Sequence, residues 1–371
     1  MSLFHIDAGR EWRGGQRQVL FLARELQKKG YPFYLVVQPD SPLHEKAAGD
    51  KLPVLPLRMK NEMDLVAVLK IARAMRRRGC VLAHFHDAHS VSVGAAAASL
   101  AKVPIRIISR RVDFPVKSRR KYVKNIDAVI AISEEVRKVL IAGGVPETLI
   151  EVVPSGIDFA PFREVKERDF LRREFGFAPD DFLVGIVAQL EDHKGHTDLI
   201  DAAKVLKDHA PKVKIIIVGE GSLRMDLDRQ ARDLCVDDVV YFLGFREDVP
   251  RILASIDLFV LSSRTEGLGS SLMDAMASRL PIVATQAGGI PEVVIHRETG
   301  LLVPPRDPQT LAQAILKLYL DKALASRLAQ RGFEVVHQKF SAEAMAQRII
   351  HIYERLASQK GVRLGGQSPY P

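Results

Sequence analysis

The chain has 371 residues, of which 47% are hydrophobic and 27% charged, and its formal net charge is +9. This composition excludes a disordered chain, and the length exceeds what one hydrophobic core usually organises, which predicts two domains. No apolar run reaches the roughly 18 residues of a membrane span. The N-terminus lacks the pattern of a signal peptide. Cys80 and Cys235 have no CxxC spacing, which favours a cytoplasmic protein.

Short apolar runs alternate with amphipathic stretches along the whole chain. The predicted strands are SLFHID, PFYLVVQ, VLAHFH, IRIISR, AVIAIS and IEVVPSG in the first half, then FLVGIVAQ, KIIIVG, VVYFLG, LFVLSS, PIVAT and GLLVP. Continuous Val, Ile and Leu runs are typical of strands that are covered on both faces. The alternation of strand and helix therefore predicts a doubly wound α/β fold with parallel sheets.

The regular pattern breaks near the middle of the chain, at Pro154, Gly156 and Pro161, and a charged segment follows. We predict an N-terminal domain over residues 1–162 and a C-terminal domain over 163–340. A helix is predicted over 341–357. The tail 358–371 is rich in Gly and Pro and is predicted to be disordered.

The excess positive charge lies in the first half, where residues 1–160 hold 26 Lys and Arg against 16 Asp and Glu. Residues 102–124, the basic segment, hold nine basic residues and one acidic residue. Such a segment either is a solvated surface or attracts an anionic lipid, glycan or nucleic acid. No nucleic-acid module accompanies it, so we favour an anionic glycan or lipid-linked acceptor and peripheral contact with the inner membrane surface. The candidate residues are Arg13, Arg110, Arg111, Lys117, Arg119, Arg120 and Lys121.

The stretch EGLGSSLMDAMA, residues 266–277, follows the strand LFVLSS and predicts a helix that begins near Ser270. A helix N-terminus offers free N–H groups to a phosphate, and Gly267 and Gly269 allow close approach of the backbone. Asp274 can accept hydrogen bonds from a neighbouring hydroxyl pair. Further polar or glycine turns follow other strands, at Gln189 to Lys194, at Gly219 and at Gly288. Together they predict a site for a pyrophosphate that carries a sugar-like group.

The turns QLEDHKG, VGEG, EGLGSSLMDAMA, GGIPE and TGLLVPP, in this order, resemble the retaining family 4 glycosyltransferases of GT-B fold. The resemblance covers nearly the whole chain and is strongest over residues 183–310. It implies two facing Rossmann-like domains, with the nucleotide sugar held mainly by the C-terminal domain. It also implies that the last helix crosses back to the N-terminal domain.

The resemblance assigns roles to residues of the second half. Glu266 is implied to contact hydroxyls of the donor sugar, Asp274 to bind the ribose, and Lys194 to neutralise the leaving diphosphate. Gln189 occupies the position of the family's usual Arg, which leaves Lys194 as the only predicted cation at that strand end. The implied donor-binding set is Gly14, Gly15, Gln189, Lys194, Gly219, Glu266, Gly267, Leu268, Gly269, Ser270 and Asp274.

The first half carries two further motifs. Gly14 and Gly15 match the glycine loop that approaches the donor phosphate, and a helix is predicted from near Gln16. In VLAHFHDAHS the resemblance implies that His86 points into the cleft and orients the acceptor hydroxyl or the reactive sugar, while His84 is structural. A metal at His84, His86 and Asp87 is conceivable. The family resemblance implies none, and the sequence has no second ligand cluster.

The expected activity is retaining transfer of a sugar from a nucleotide diphosphate sugar, with UDP favoured over GDP or ADP and no cofactor. The expected acceptor is a hydroxyl of a cell-envelope glycan or lipid-linked molecule of lipopolysaccharide type. The expected catalytic residues are Glu266, Lys194 and His86. Two alternatives remain: a sugar-nucleotide epimerase of similar fold, which needs no acceptor, and a non-catalytic nucleotide- or glycan-binding protein, which the missing Arg at Gln189 favours.

Overall fold

The computed structural model describes residues 1–163, 165 and 167–365. The chain forms two compact units, of which the first comprises Met1–Gly156 together with the segment from Ala342, and the second comprises Ile157–Ser341. The boundary between the two units thus lies at Ile157, whereas the sequence analysis placed the domain boundary at residue 162. The reason is local, because the Ile157 N–H donates to the Phe340 carbonyl and Phe159 stacks on His337.

The first unit is built on one seven-stranded sheet in which every pairing is parallel. The strand order is β3-β2-β1-β4-β5-β6-β7. The strands are β1 Ser2–Asp7, β2 Phe33–Val37, β3 Val54–Pro56, β4 Cys80–Phe85, β5 Ile105–Arg110, β6 Ala128–Ala131 and β7 Ile150–Val152. The helices are α1 Gly14–Lys28, α2 Pro42–Gly49, α3 Leu65–Arg77, α4 Ala88–Leu100, α5 Arg119–Val123 and α6 Glu134–Ala142, with a 3-10 turn at Glu147–Leu149.

The second unit contains a six-stranded parallel sheet of order β10-β9-β8-β11-β12-β13. Its strands are β8 Phe182–Val187, β9 Val213–Val218, β10 Val240–Gly244, β11 Leu258–Leu261, β12 Ile282–Thr285 and β13 Leu301–Val303. Its helices are α7 Ala160–Arg163, α8 Phe170–Phe175, α9 His196–His209, α10 Arg224–Asp233, α11 Val249–Ser255, α12 Ser270–Ala277, α13 Ile290–Val293, α14 Pro308–Leu320 and α15 Lys322–Lys339, with a 3-10 turn at Asp192–Lys194.

The predicted fold class, α/β with two parallel sheets, is confirmed. Each predicted strand lies where an observed strand does, but the sequence analysis missed β3. This strand is three residues long, and Pro53 and Pro56 interrupt the apolar residues around it, which obscures the pattern of a strand. It lies at the edge of the sheet, where a proline leaves the hydrogen-bond ladder intact.

The last helix, α16, runs over Ala342–Lys360 and packs on the first unit. Its Tyr353 is fully buried in the core, and Tyr31 donates to Glu354 at 2.6 Å. The helix continues past the predicted end at residue 357, and Leu364 is buried against the same core. The order of the segment up to Leu364 therefore follows from apolar packing, whereas residues 366–371 of the predicted tail lie outside the described residues.

In each sheet the order in which successive strands are added reverses between two neighbouring strands. These are β1 and β4 in the first sheet and β8 and β11 in the second. In doubly wound folds, ligands bind outside the carboxyl ends of the strands at such switch points. The functional residues predicted from sequence follow these strands. Among the helices of the described residues, none is both long and apolar enough to cross a bilayer.

Candidate active site

At the switch point of the second sheet, a lysine and a glutamate from different loops form an ion pair. Lys194 ends the 3-10 turn after β8, and Glu266 lies in the loop after β11. Lys194 Nζ is 2.6 Å from Glu266 Oε2, and the two side chains are 17% and 13% exposed. Ser263 Oγ donates to the same carboxylate oxygen at 3.2 Å. The structure therefore brings together two of the three residues to which the sequence analysis gave catalytic roles.

The loops that carry this pair touch one another through their backbones. At Gly195, with φ of 65°, an added Cβ would lie 2.1 Å from the Ser262 carbonyl oxygen. At Gly288 an added Cβ would lie 2.0 Å from the Glu266 carbonyl oxygen. No real Cβ tolerates such distances, so both positions require glycine. The Gly289 N–H also donates to the Glu266 carbonyl at 2.8 Å.

Helix α12 begins at Ser270, as the sequence predicts, directly after this pair of loops. Gly269 precedes it in the left-handed conformation, with φ of 84°. The positive end of the α12 dipole lies at Gly267 to Ser270, the segment predicted to hold a pyrophosphate. Asp274 lies one turn further along the helix and is 4% exposed.

A second cation reaches the Lys194 loop and corrects the expectation that Lys194 stands alone there. Arg264, which follows β11, pairs with Asp192 at 2.7 Å and Asp198 at 2.8 Å. The hydrogen bonds that Arg264 donates to Asp198 raise the pKa of Arg264, so the guanidinium stays charged. Because both acids belong to the turn and helix around Lys194, Arg264 fixes the position of that lysine's loop. The sequence analysis missed it, although Arg264 lies two residues before Glu266.

Gln189 is placed at the end of β8 as predicted, and Gly219 follows β9. The Gln189 carbonyl accepts a hydrogen bond from His196 Nε2 at 2.9 Å. At Gly219, with φ of 143°, an added Cβ would lie 2.0 Å from the Ala188 carbonyl oxygen. Both residues therefore contribute through their backbone to the packing of the switch-point loops.

At the switch point of the first sheet, two aspartates follow adjacent strands. β1 and β4 pair with His5 opposite His84, so Asp7 and His86 emerge at the same edge. Asp7 accepts from Gly9 N–H at 2.9 Å and from Gln16 Nε2 at 3.0 Å. Burial, with Asp87 nearby as a second cause, raises the pKa of Asp7 to about 6. Asp7 and Gln16 were missed because a lone Asp after a strand has no sequence signature.

Asp87 is used as a structural cap. Its carboxylate accepts from the N–H groups of His89 and Ser90 at the start of α4, and from the Ala8 N–H at 2.7 Å. It therefore joins the loops after β1 and β4. Among the described residues, the group whose ligand atoms lie close enough to share a cation is His5, His84 and His86, without Asp87.

The glycine turn begins helix α1 directly, since the helix starts at Gly14 rather than near Gln16. An added Cβ at Gly15 would lie 3.6 Å from Cδ of Arg111. Arg13, predicted to meet phosphate or acceptor, pairs with Glu11 at 2.5 Å and is exposed. Thus Gly15 lies against a cation of its own unit.

Arg111 fixes the protonation pattern of His86. Its Nη1 donates to the His86 carbonyl at 2.9 Å and its Nη2 to His86 Nδ1 at 3.2 Å. A guanidinium only donates, so Nδ1 of His86 is the acceptor and the proton of the neutral ring resides on Nε2. That Nε2 lies 3.0 Å from His5 Nδ1, to which it donates. His86 is 4% exposed, and both its ring nitrogens are engaged.

His84 belongs to the same buried cluster. Its ring nitrogens lie 2.5 Å from the Tyr353 hydroxyl and 2.8 Å from Ser109 Oγ. Desolvation lowers the pKa of His5 to about 3 and holds the pKa values of His84 and His86 well below 6.5. The three rings are therefore neutral at physiological pH.

One nitrogen from each of His5, His84 and His86 lies within 4.8 Å of the others, a spacing that invites comparison with metal sites. His86 and His84 engage both ring nitrogens in hydrogen bonds, and Arg111 adds a positive charge beside the cluster. A cation at this point would have to displace those bonds and oppose that charge. The geometry fits a hydrogen-bonded cluster better than a metal centre.

The basic segment separates into a buried part and an exposed part. Arg111, grouped by sequence with the acceptor side, is partly buried at the switch point, because its guanidinium bonds to His86. Arg110 donates to the Val112 carbonyl at 3.0 Å. Lys117, Arg119 and Arg120 are exposed, and Lys121 pairs with Glu62 at 2.5 Å.

Comparisons with known proteins agree with this architecture. The family model described as Glycosyl transferases group 1 matches residues 167–335, and that described as Glycosyltransferase Family 4 matches residues 12–160. The chain is 28% identical over 288 residues to the mannosylfructose-phosphate synthase of Agrobacterium fabrum, covering 73% of this chain and 63% of that protein. It is 34% identical over 161 residues to the lipopolysaccharide core biosynthesis glycosyltransferase LpsE of Rhizobium meliloti, covering 43% and 46%.

Among solved structures, Anabaena HepE in complex with UDP and glucose matches with a TM-score of 0.86 at 23% identity, covering 96% of this chain and all of that one. This likeness establishes the GT-B fold. For several of the curated relatives that it matches, the chain spans 52% to 63% of their length.

The histidine cluster makes the first unit sensitive to acid. Between pH 6.5 and 4 the unfolded chain protonates these imidazoles and the folded unit does not, so stability falls as the pH is lowered. Asp7 acts in the opposite sense between pH 3.8 and about 6, because its raised pKa favours protonation in the folded unit. At roughly 1.4 kcal/mol per pH unit for each group, the net slope is about 2–3 kcal/mol per pH unit.

Urea unfolding followed by fluorescence measures this slope, since the sole tryptophan, Trp12, packs against the core of the first unit. His351→Asn, at an exposed position of α16, is the control and should leave the slope unchanged. Stability that stays level from pH 6.5 to 4.5 would contradict a cluster of neutral histidines.

Proposed function

Because the chain belongs to the family 4, or group 1, glycosyltransferases, we propose that it moves a sugar from a UDP-sugar to a hydroxyl of an anionic cell-envelope acceptor, with retention. The observation that carries the proposal is the Lys194–Glu266 pair beside the start of α12. UDP is favoured because the neighbour HepE was solved with UDP and glucose. The names of two relatives, a lipopolysaccharide core enzyme and a sugar-phosphate synthase, favour an acceptor of lipopolysaccharide type that carries phosphate.

In the proposed mechanism the diphosphate replaces Glu266 as the partner of Lys194. The ammonium and the N–H groups of Gly267 to Ser270 then meet the charge that grows on the leaving group. Glu266, released from the lysine, accepts hydrogen bonds from hydroxyls of the donor sugar. Asp274 accepts from the ribose.

The reaction itself is a same-face substitution. The bond between the sugar and the diphosphate oxygen breaks, and its electron pair stays with UDP. The acceptor oxygen forms the new bond on the same face, and its proton passes to the departing phosphate oxygen. His86 contributes by accepting hydrogen bonds from Arg111. The guanidinium of Arg111 thereby stays at the switch point of the first sheet, beside Gly15.

The acceptor is proposed to be reached at a membrane surface. The exposed cations Lys117, Arg119 and Arg120 attract an anionic glycan or lipid. We therefore propose a cytoplasmic location with peripheral attachment to the inner face of the membrane. The enzyme is proposed to need no metal, since Lys194 and helix N–H groups supply the charge stabilisation.

Incubation with UDP-glucose alone, in the presence of EDTA, tests the function. A transferase without acceptor releases UDP and glucose slowly and forms no other nucleotide sugar. Formation of a new nucleotide sugar would identify an epimerase, and absence of any turnover would favour a binding protein. Loss of turnover in EDTA, restored by a divalent ion, would make ligands of His5, His84 and His86.

Lys194→Ala should lower turnover by roughly two to three orders of magnitude, the usual loss when a preorganised charge stabiliser is removed. Arg264 does not compensate, because its guanidinium is committed to Asp192 and Asp198. The initial rate of UDP release under saturating UDP-glucose measures the loss. Lys207→Ala, at a half-buried lysine on α9 that pairs with Asp238, is the control. A Lys194→Ala rate equal to the wild-type rate would remove the lysine from the mechanism.

Asp274→Asn and Glu266→Gln should separate ribose binding from sugar binding. Hydrogen bonds to charged groups contribute roughly 1.5–3 kcal/mol, so Asp274→Asn should weaken UDP binding about tenfold or more. A 2′,3′-dideoxy UDP should bind wild type more weakly than UDP but lose little further with this variant. Glu266→Gln should leave UDP affinity nearly unchanged and impair transfer. Calorimetric titration that finds both variants equally sensitive to the ribose hydroxyls would contradict this division of roles.

A further inference from the structure

The turn before α3 and the first turns of that helix expose an unusual amount of apolar surface. Met63, Leu65, Val66 and Leu69 are 85%, 73%, 62% and 60% exposed, and we call these four residues the apolar patch. The solvent face of a surface helix is normally polar, and an isolated exposed leucine needs no explanation. Four large apolar side chains within seven positions form a contiguous patch, and such patches mark sites of contact with a membrane or a protein.

The same face of α3 continues as a row of cations. Lys70, Arg73 and Arg77 are exposed, and within the described part of the chain no carboxylate pairs with them. At 100° per residue, positions 65, 66, 69, 70, 73 and 77 fall on one side of the helix. α3 contains no acidic residue at all. The solvent face of α3 is thus apolar at its beginning and basic beyond.

A salt bridge joins the apolar patch to the exposed part of the basic segment. Glu62 accepts from Lys121 of α5 at 2.5 Å and from Ser92 of α4 at 3.1 Å. The hydrogen bond from Lys121 lowers the pKa of Glu62, so this acid is ionised and neutralised by the lysine. Asp64, the other acid beside the patch, caps α3 by accepting from the Ala67 N–H. Phe114, which precedes α5, is itself 46% exposed. The two regions therefore form one surface with apolar side chains and a surplus of positive charge.

We propose that this surface lies on an anionic lipid bilayer, with the apolar patch in the boundary between head groups and acyl chains and the cations of α3 and α5 on the lipid phosphates. A helix with an apolar stripe and a basic flank is the typical element of such contact. A second copy of the chain is a poorer occupant, because two such surfaces would bring like charges together. The inference rests on the proposed function, which supplies a membrane-borne acceptor, and it names the residues that insert.

Co-sedimentation of the full chain with vesicles tests the proposal. We compare phosphatidylcholine vesicles with vesicles that also contain phosphatidylglycerol. Wild type should bind the anionic vesicles, and less so as salt rises, because each cation near the surface adds electrostatic attraction. The double substitution Leu65→Ser and Leu69→Ser should reduce binding about 100-fold, since burial of each leucine corresponds to roughly a tenfold change.

Two further variants separate the contributions. Lys70→Gln with Arg73→Gln should weaken binding to anionic vesicles and flatten its dependence on salt. Met225→Ser with Leu320→Ser, each 76% exposed on the second unit, is the matched control and should bind as wild type does. All altered side chains are exposed, so melting temperatures should stay within the range of wild type.

Three outcomes would overturn the proposal. The leucine variant could bind as wild type does, or wild type could ignore anionic vesicles. Light scattering could instead reveal a dimer that the leucine variant abolishes, which would make the surface an interface between copies. Hydrolysis of UDP-glucose, measured on every variant, reports the proposed function separately. Vesicle binding without hydrolysis would support the membrane-binding surface and contradict the proposed enzymatic function. Hydrolysis without vesicle binding would support the function and contradict the surface.

Discussion

Backbone contact between neighbouring loops is the constraint on which the site of the second unit depends. An added Cβ at Gly288 would lie 2.0 Å from the Glu266 carbonyl oxygen, and an added Cβ at Gly195 would lie 2.1 Å from the Ser262 carbonyl oxygen. These two contacts hold the loops after β8, β11 and β12 together. They also bring Lys194 to Glu266, residues that are far apart in sequence and whose side chains are 17% and 13% exposed, respectively. A largely buried ion pair offsets the cost of removing its charges from water only when its geometry is fixed. The close contacts at the two glycines fix that geometry.

The site of the first unit is held together by a different principle. Here polar side chains, rather than glycine contacts, join the loops after β1 and β4. Asp87 caps α4 and binds the Ala8 N–H, while Arg111 holds the carbonyl and ring of His86. Buried polar groups depend on such partners for their stability, and in this cluster only His5 Nε2 and Arg111 Nε are without one among the described residues. Replacing one member therefore disturbs the others, and the three buried imidazoles make the cluster sensitive to acid.

The sequence predicted the second unit better than the first for a physical reason. A glycine at a forced position and a helix start leave a local signature, so Glu266, Gly269 and the beginning of α12 at Ser270 could be read from residues 266–277. A hydrogen bond between distant residues leaves none. The neighbouring sequence does not distinguish Arg111, which binds His86, from Arg110 or Arg119. The basic segment was therefore assigned as a whole to the acceptor side. β3 and Leu364 were missed similarly, because their order comes from packing on a sheet and core that the chain builds elsewhere.

The surplus positive charge of the first half has two different roles, which composition alone does not distinguish. Arg111 is partly buried and keeps the histidine cluster in one tautomer, and partial burial lowers its pKa only to about 10, so it remains a cation. The exposed cations Lys70, Arg73 and Arg77 of α3 pair with no carboxylate in the described part of the chain. On α5, Lys121 pairs with Glu62 and Arg119 donates to the Gly144 carbonyl, but both lie at the surface. Charge that is not needed for folding, next to apolar surface that folding leaves uncovered, costs stability unless another body covers it. Water solvates the cations but not the apolar side chains, whereas an anionic interface accommodates both features of that surface together.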